Sequence, residues 1–168
     1  MGYFELIAER YSVRSYEQRA VEPEKLAKIL DAGRIAPTAG NRQPHRIKVI
    51  TEAGDLAKAD ECTPCRFNAP ALLLVCYDNT ACWKSPFNGG LSGEVDVSIV
   101  TTHMMLAAQE LGLGTCWVMY FDPAKATEVF ALPENIIPIA MLPVGYPSAD
   151  AAPSEKHKDR LPVEDILL

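Results

Sequence analysis

The chain has 168 residues, 48% hydrophobic and 23% charged, with a formal net charge of -6. That length and balance suit one domain with a real core and exclude a disordered or fibrous chain. The acidity excludes a global electrostatic footprint for nucleic acid, so any bound anion needs a local cluster of cations.

The opening residues, Met1-Gly2-Tyr3-Phe4-Glu5, have neither the basic region nor the apolar run of an export signal. Leu6 breaks the myristoylation pattern. The expectation is a cytoplasmic protein without a membrane span, forming a single domain over residues 1–168.

Residues 3–10 read as a short helix. Residues 23–34 read as a second, with Pro23 in its first turn, Leu26, Ile29, Leu30 and Gly33 at helical spacing, and Pro37 as a stop. Residues 37–45 form a loop rich in Pro, Gly and Asn. Residues 46–51 alternate as a strand does, and residues 53–60 suit a short helix. The continuous apolar run at 71–77 predicts a strand covered on both faces.

A loop with Gly89, Gly90 and Gly93 leads to the longest helix, over 94–111. Its polar interruptions, Asp96 and Glu110 among them, exclude a membrane span. It is apolar nearly all round, so it belongs in a core or at a subunit interface. Residues 115–120 read as a third strand. Asp122-Pro123 is a cap and first-turn pair for a helix over 123–131. Residues 137–144 read as a fourth strand, with Pro138 and Pro143 marking an edge or a bulge. The polar stretch after Tyr146 ends with Val163, Ile166, Leu167 and Leu168, which a free tail has no use for. It is expected to dock, for instance on a partner subunit. Interleaved helices and strands predict a helix–sheet–helix architecture, α/β or α+β.

Five cysteines, an odd number in a chain of this size, point to reduced thiols. Cys62-Thr63-Pro64-Cys65 without a second pair is weak support for zinc or an iron–sulfur cluster, and stays open as a redox motif. His45, His103 and His157 show no metal or triad spacing. His103, on the buried helix, reads as a satisfied core histidine.

Three segments are dense enough in functional groups to carry chemistry. Arg10-Tyr11-Ser12-Val13-Arg14 offers two forked guanidiniums and a hydroxyl, which suits a phosphate. A solvated helix end is the plainer alternative. Ala36-Pro37-Thr38-Ala39-Gly40-Asn41-Arg42-Gln43-Pro44-His45 can aim amides at a polar heterocycle, or merely join helix to strand. Gly112-Leu113-Gly114-Thr115-Cys116-Trp117 follows a helix and lacks the residues of a phosphate loop, and a helix C-cap explains Gly112.

Taken in order with Lys158-Asp159-Arg160-Leu161-Pro162-Val163-Glu164-Asp165-Ile166 at the C-terminal end, these segments resemble the FMN-dependent nitroreductase family over essentially the whole chain. The resemblance implies an α+β fold, a three-layer α/β/α sandwich with a mixed central sheet and a C-terminal tail exchanged with the partner subunit of a homodimer. It implies FMN at that interface. Arg10 and Ser12, with Tyr11 between them, and Lys158 and Arg160 would hold its phosphate. Arg14 would lie by the pyrimidine edge of the flavin, where a cation favours the reduced ring. Pro37, Thr38, Ala39, Asn41 and Gln43 would reach the partner's FMN. Trp117 would start the strand beside the ring, and a backbone amide near Met119 or Tyr120 would face N5.

The activity implied is hydride transfer from NADH or NADPH through the flavin to a small acceptor such as a nitroaromatic or quinone, by a ping-pong scheme. Flavin N5 carries the chemistry, and no catalytic side chain is required. The alternatives are a dehalogenase-like or flavin-destroying enzyme of the same fold, or a non-catalytic FMN carrier. Two departures stand out. Met119-Tyr120 replaces the Glu-Gly of relatives of the enteric enzymes, and the segment between the second and third motifs is short. Residues 80–93, with Trp83, Lys84 and Phe87, are left as the expected mobile cover.

Overall fold

The computed structural model describes residues 2–168. α1 (Tyr3–Glu9) starts where the Gly2 N–H donates to the Glu5 carboxylate at 2.9 Å. It buries none of its residues, and Tyr3 and Phe4 are exposed. α2 (Pro23–Arg34) has proline at its first position, where the fixed φ suits a helix and the missing N–H costs nothing. Leu26, Ile29 and Gly33 form its buried face. At Gly33 an added Cβ would sit 2.9 Å from Cγ of Met104, so the absent side chain sets how closely α2 meets the long helix α4 (Gly93–Glu110).

β1 (His45–Ile50), β2 (Ala71–Asp78), β3 (Gly114–Thr115) and β4 (Ile136–Gly145) form one sheet in the order β1-β2-β4-β3. All three strand pairings are antiparallel. The parallel component of the expected mixed sheet is a single bridge, Ser12 to Thr115, at the β3 edge.

The two faces of β2 follow the period-2 alternation of a strand. Ala71, Leu73 and Val75 pack with Leu142 and Val144 against α2 and α4, through Ile29, Val97, Val100 and Met104. Leu72, Leu74 and Cys76 pack with Met141 against α3 (Ala53–Cys62) and α5 (Pro123–Val129), through Ala59, Cys62 and Ala126. The result is the three-layer α/β/α sandwich. Every residue from Ala71 to Val75 is 0% exposed, which explains why the sequence there is continuously apolar rather than alternating.

The fourth strand is central, not an edge, and its prolines sit where pairing is interrupted. The β2–β4 register shifts between Val75, opposite Ala140, and Cys76, opposite Pro138. The bulge therefore falls beside Pro138. Pro143 lies between Val144, which pairs with Thr115, and Met141, which is bridged to Val118. Its missing N–H falls in that gap. For the same reason the strand expected over 115–120 is shorter than predicted. It pairs over Gly114–Thr115, breaks opposite Pro143, and returns as the Val118–Met141 bridge, with N–H to O distances of 2.9 Å in both directions.

α4 buries Val97, Val100, Thr101, Met104, Met105 and Ala108, while Val95 is exposed. His103 is half-buried on this helix rather than part of the core. No helix among the described residues is long and apolar enough to cross a membrane.

Candidate functional site

The segment after α1 is pinned to the sheet edge. The Val13 N–H donates to the Thr115 carbonyl at 2.9 Å, beside the Ser12–Thr115 bridge. Val13 is buried against Tyr16 and Ala69. The Tyr16 hydroxyl donates back to the Val13 carbonyl at 2.9 Å, and burial raises its pKa well above the ordinary tyrosine value. The C-terminal stretch returns along the same path. Glu17 N–H donates to the Tyr146 carbonyl at 2.9 Å, Ser148 N–H to the Ser15 carbonyl at 3.1 Å, and the Tyr11 hydroxyl to the Ala151 carbonyl at 3.4 Å. Both ends of the chain are thereby brought together.

Between them is a cavity of about 180 Å³ lined by Arg10, Tyr11, Ser12, Arg14, Ser154, Lys156, His157 and Arg160. No carboxylate lines it. Nη1 of Arg10 is buried without an acceptor. Burial lowers the pKa of that guanidinium, and the charge of Arg160 lowers it further; Cys116 acts in the opposite direction. A buried N–H without a partner among unneutralised cations is the signature of an anion site.

The structure gathers Arg10, Tyr11, Ser12, Arg14 and Arg160 there as the motifs imply. It does not bring Lys158 to the cavity; Lys156 and His157 line it instead. Residues Glu155–Lys158 form a single tight helical turn, and Nη1 of Arg160 folds back to donate to the Lys156 carbonyl at 3.2 Å. Lys156, from that turn, and Arg160, two residues beyond it, both line the cavity, a geometry that basic-x-basic spacing does not reveal.

The loop with Pro37, Thr38, Ala39, Asn41 and Gln43 lies apart from this cavity. Its backbone takes positive φ at Gly40 (57°), Asn41 (54°) and Gln43 (51°). Local bonds hold it: Asn41 N–H to the Thr38 carbonyl at 2.9 Å, and Gln43 N–H to Thr38 Oγ1 at 3.1 Å. Asn41 and Gln43 are left exposed. The Ala39 N–H donates to Asp96, a buried carboxylate that the sequence marked only as an interruption of an apolar helix.

Trp117 is half-buried, and its indole N–H is buried without an acceptor. Met119 and Tyr120 are exposed. Among the described residues their backbone N–H groups have no acceptor. They line an open cavity of about 340 Å³ with Cys62, Pro64, Phe121 and Asp122. The Thr63 hydroxyl donates to the Tyr120 carbonyl and accepts from Cys65 N–H, which ties the Cys-x-x-Cys turn to this segment. Cys62 and Cys65 are free thiols, and burial pushes Cys62 up from the ordinary thiol pKa. No group of three or more metal-ligating side chains occurs among the described residues.

Residues 84–91 form a small hairpin, closed by a Lys84–Leu91 bridge and a 2.9 Å bond from Ser85 N–H to the Gly90 carbonyl. Phe87 stands at its tip, 95% exposed.

Comparison with known proteins places the chain among relatives. A family model described as Nitroreductase family matches residues 7–79 and 64–146. A nitroreductase family protein from Clostridium difficile 630, of known structure, is 46% identical, with a TM-score of 0.94 over 100% of this chain and 98% of that one. A protein from Methanothermobacter thermautotrophicus, described as an NADH dehydrogenase/NAD(P)H nitroreductase, is 34% identical over 88% of this chain and 78% of its own length. The FMN reductase [NAD(P)H] of Bacillus subtilis is 28% identical over 95% of this chain and 70% of its own. The chain belongs to the nitroreductase family.

Proposed function

We propose that the protein is an FMN-dependent oxidoreductase that takes hydride from NADH or NADPH and delivers electrons to a small acceptor such as a nitroaromatic or a quinone. The observation that carries this reading is the buried, unpartnered Nη1 of Arg10 in a cavity lined by cations and hydroxyls. It suits a dianionic phosphate, and the bacillary relative named as an FMN reductase supports FMN as its bearer.

Arg10, Lys156 and Arg160 hold the phosphate by charge-assisted bonds, and Ser12 adds a neutral donor. Arg14 lies at the cavity rim, where its charge favours negative charge on the adjoining ring edge. The exposed Met119–Tyr120 backbone offers its unengaged N–H groups to the ring. FMN held there would supply the hydride and electron transfer. With a single cofactor site per ring, donor and acceptor would take turns there, the expectation of a ping-pong scheme.

The active unit is a homodimer. Pro37, Thr38, Ala39, Asn41 and Gln43 of one subunit would contribute to holding the ring bound by the other. The exposed apolar residues of α1, Val95 on α4, and Val163, Ile166 and Leu167 in the tail are the surfaces that such a dimer covers. Residues 80–93 cover the acceptor side.

The test is direct. Apo-protein is titrated with FMN and followed by visible absorbance, then mixed anaerobically with NADH or NADPH, and then with nitrofurazone or menadione. Binding, bleaching and recovery are expected in that order. Failure to bind FMN overturns the reading. Bound flavin that neither nucleotide bleaches replaces it with a carrier.

A further inference from the structure

Asp96 lies in the first turn of α4 and is 1% exposed. A carboxylate that deep is costly unless hydrogen bonds and local dipoles stabilise it. Its Oδ1 accepts the Ala39 N–H at 2.8 Å, and its Oδ2 accepts the Ser92 hydroxyl at 2.7 Å. The N-terminus of an 18-residue helix adds a favourable dipole.

These two bonds lead to different places. Ala39 begins the tight turn whose backbone is left-handed at Gly40, Asn41 and Gln43. A non-glycine residue in that region is unfavourable and persists only where its surroundings fix it. Ser92 closes the base of the 84–91 hairpin. Its Oγ accepts the Trp83 N–H at 3.2 Å, and its own N–H donates to the Trp83 carbonyl at 3.0 Å. Trp83 also reaches the apex of the turn, with Cδ1 3.5 Å from where a Cβ on Gly40 would be. One carboxylate thus fastens the turn and the hairpin to the same point on a rigid helix.

We propose that Asp96 is a positioning residue. It fixes the loop of residues 38–43 in its left-handed form and holds the 84–91 hairpin in register with that loop. This rests on the reading in which the loop faces the flavin ring while the Arg10–Arg160 cavity takes the phosphate. The two ends of the cofactor are then controlled separately. Loss of Asp96 weakens recognition of the ring and leaves the phosphate site intact.

The test compares wild-type protein with Asp96→Ala and the near-isosteric Asp96→Asn, using three probes: FMN, riboflavin, which lacks the phosphate, and inorganic phosphate. Riboflavin and FMN affinities are expected to fall together, about tenfold or more in Asp96→Ala. A smaller fall is expected in Asp96→Asn, which keeps an acceptor for Ala39. Inorganic phosphate affinity stays at the wild-type value, and the visible circular dichroism of the bound ring changes. Wild-type riboflavin affinity in a folded variant overturns the proposal. So does a parallel loss of phosphate affinity, which marks a merely structural role. If Asp96→Ala does not fold, Asp96→Asn decides by the same comparison. A wild-type protein that binds no flavin overturns the proposed function instead, and is seen before any variant is made.

Discussion

Val13 occupies the space that a side chain on Gly114 would need: a Cβ there would overlap the Val13 side chain. The contact lets the N-terminal segment lie against β3 closely enough for Val13 N–H to reach the Thr115 carbonyl at 2.9 Å. The flanking residues, Ser12 and Arg14, are thereby delivered to the cavity they line with Arg10 and Arg160.

Gly114→Ala is accordingly expected to act on stability and site together. Overpacking of this kind costs ~1–3 kcal/mol, and FMN affinity falls because Ser12 and Arg14 move with Val13. Thermal unfolding and flavin titration of the variant check both effects. An unchanged melting temperature would refute the steric account.

Arg10→Ala removes the buried donor of the cavity. Hydrogen bonds to charged groups contribute about 1.5–3 kcal/mol, so FMN affinity is expected to fall between about tenfold and a hundredfold. Riboflavin affinity is unaffected, because riboflavin has no phosphate. Arg10→Lys recovers part of the loss, since an ammonium keeps the charge without the fork. Fluorescence titrations with both ligands separate these outcomes.

Acid stability carries a second signature. The Tyr146 hydroxyl donates to Glu22 at 2.8 Å and, with the Glu22 backbone and Arg19, holds its carboxyl down at about 2 from 4.5. The folded state therefore binds fewer protons than the unfolded chain as pH drops from 4.5 towards 2. This group's stabilising contribution is present above that window and is lost within it as the pH falls. Tyr146→Phe moves the Glu22 titration back towards 4.5, which carboxyl NMR can follow, and flattens the pH dependence of unfolding across the window.

Leu73 and its cross-strand neighbour Val49 separate burial from pairing. Leu73 is 0% exposed and Val49 is 38%. Leu73→Ala leaves a cavity under α2 and α4 and costs ~2–5 kcal/mol. Val49→Ala costs well under half of that. Denaturant unfolding of the two variants measures the difference.

Residues 161–168 expose Leu161, Val163, Ile166, Leu167 and Leu168. If the tail wraps a second subunit, as the proposed dimer requires, truncation at residue 160 weakens association. Sedimentation velocity of the full and shortened chains is the check, and an unchanged dimer removes the tail from the interface.

Most of the elements were legible because local chemistry specifies them. Pro23 starts α2, and Asp122 caps α5, its carboxylate accepting the Lys125 N–H at 3.0 Å. The apolar run at 71–77 announces a strand covered on both faces. Arg10, Ser12, Arg14 and Arg160 were legible as a group only through the order of four motifs. Lys156 and His157 were not, since their approach depends on a single turn at 155–158. Nor was Asp96, because a lone acid in a helical pattern looks the same whether it meets water or two buried donors.

By itself, the sequence determined the helices, the buried strand, the prolines that interrupt pairing and the motifs that mark the family. Propensity, capping and hydrophobic period act over a few residues, so they can be read along the chain. Tertiary structure alone decided the antiparallel order β1-β2-β4-β3, the shortening of the third strand, the meeting of both chain ends at Arg10 and Arg160, and the double duty of Asp96. Each depends on groups distant in sequence that come within hydrogen-bonding or van der Waals reach only when the core is packed.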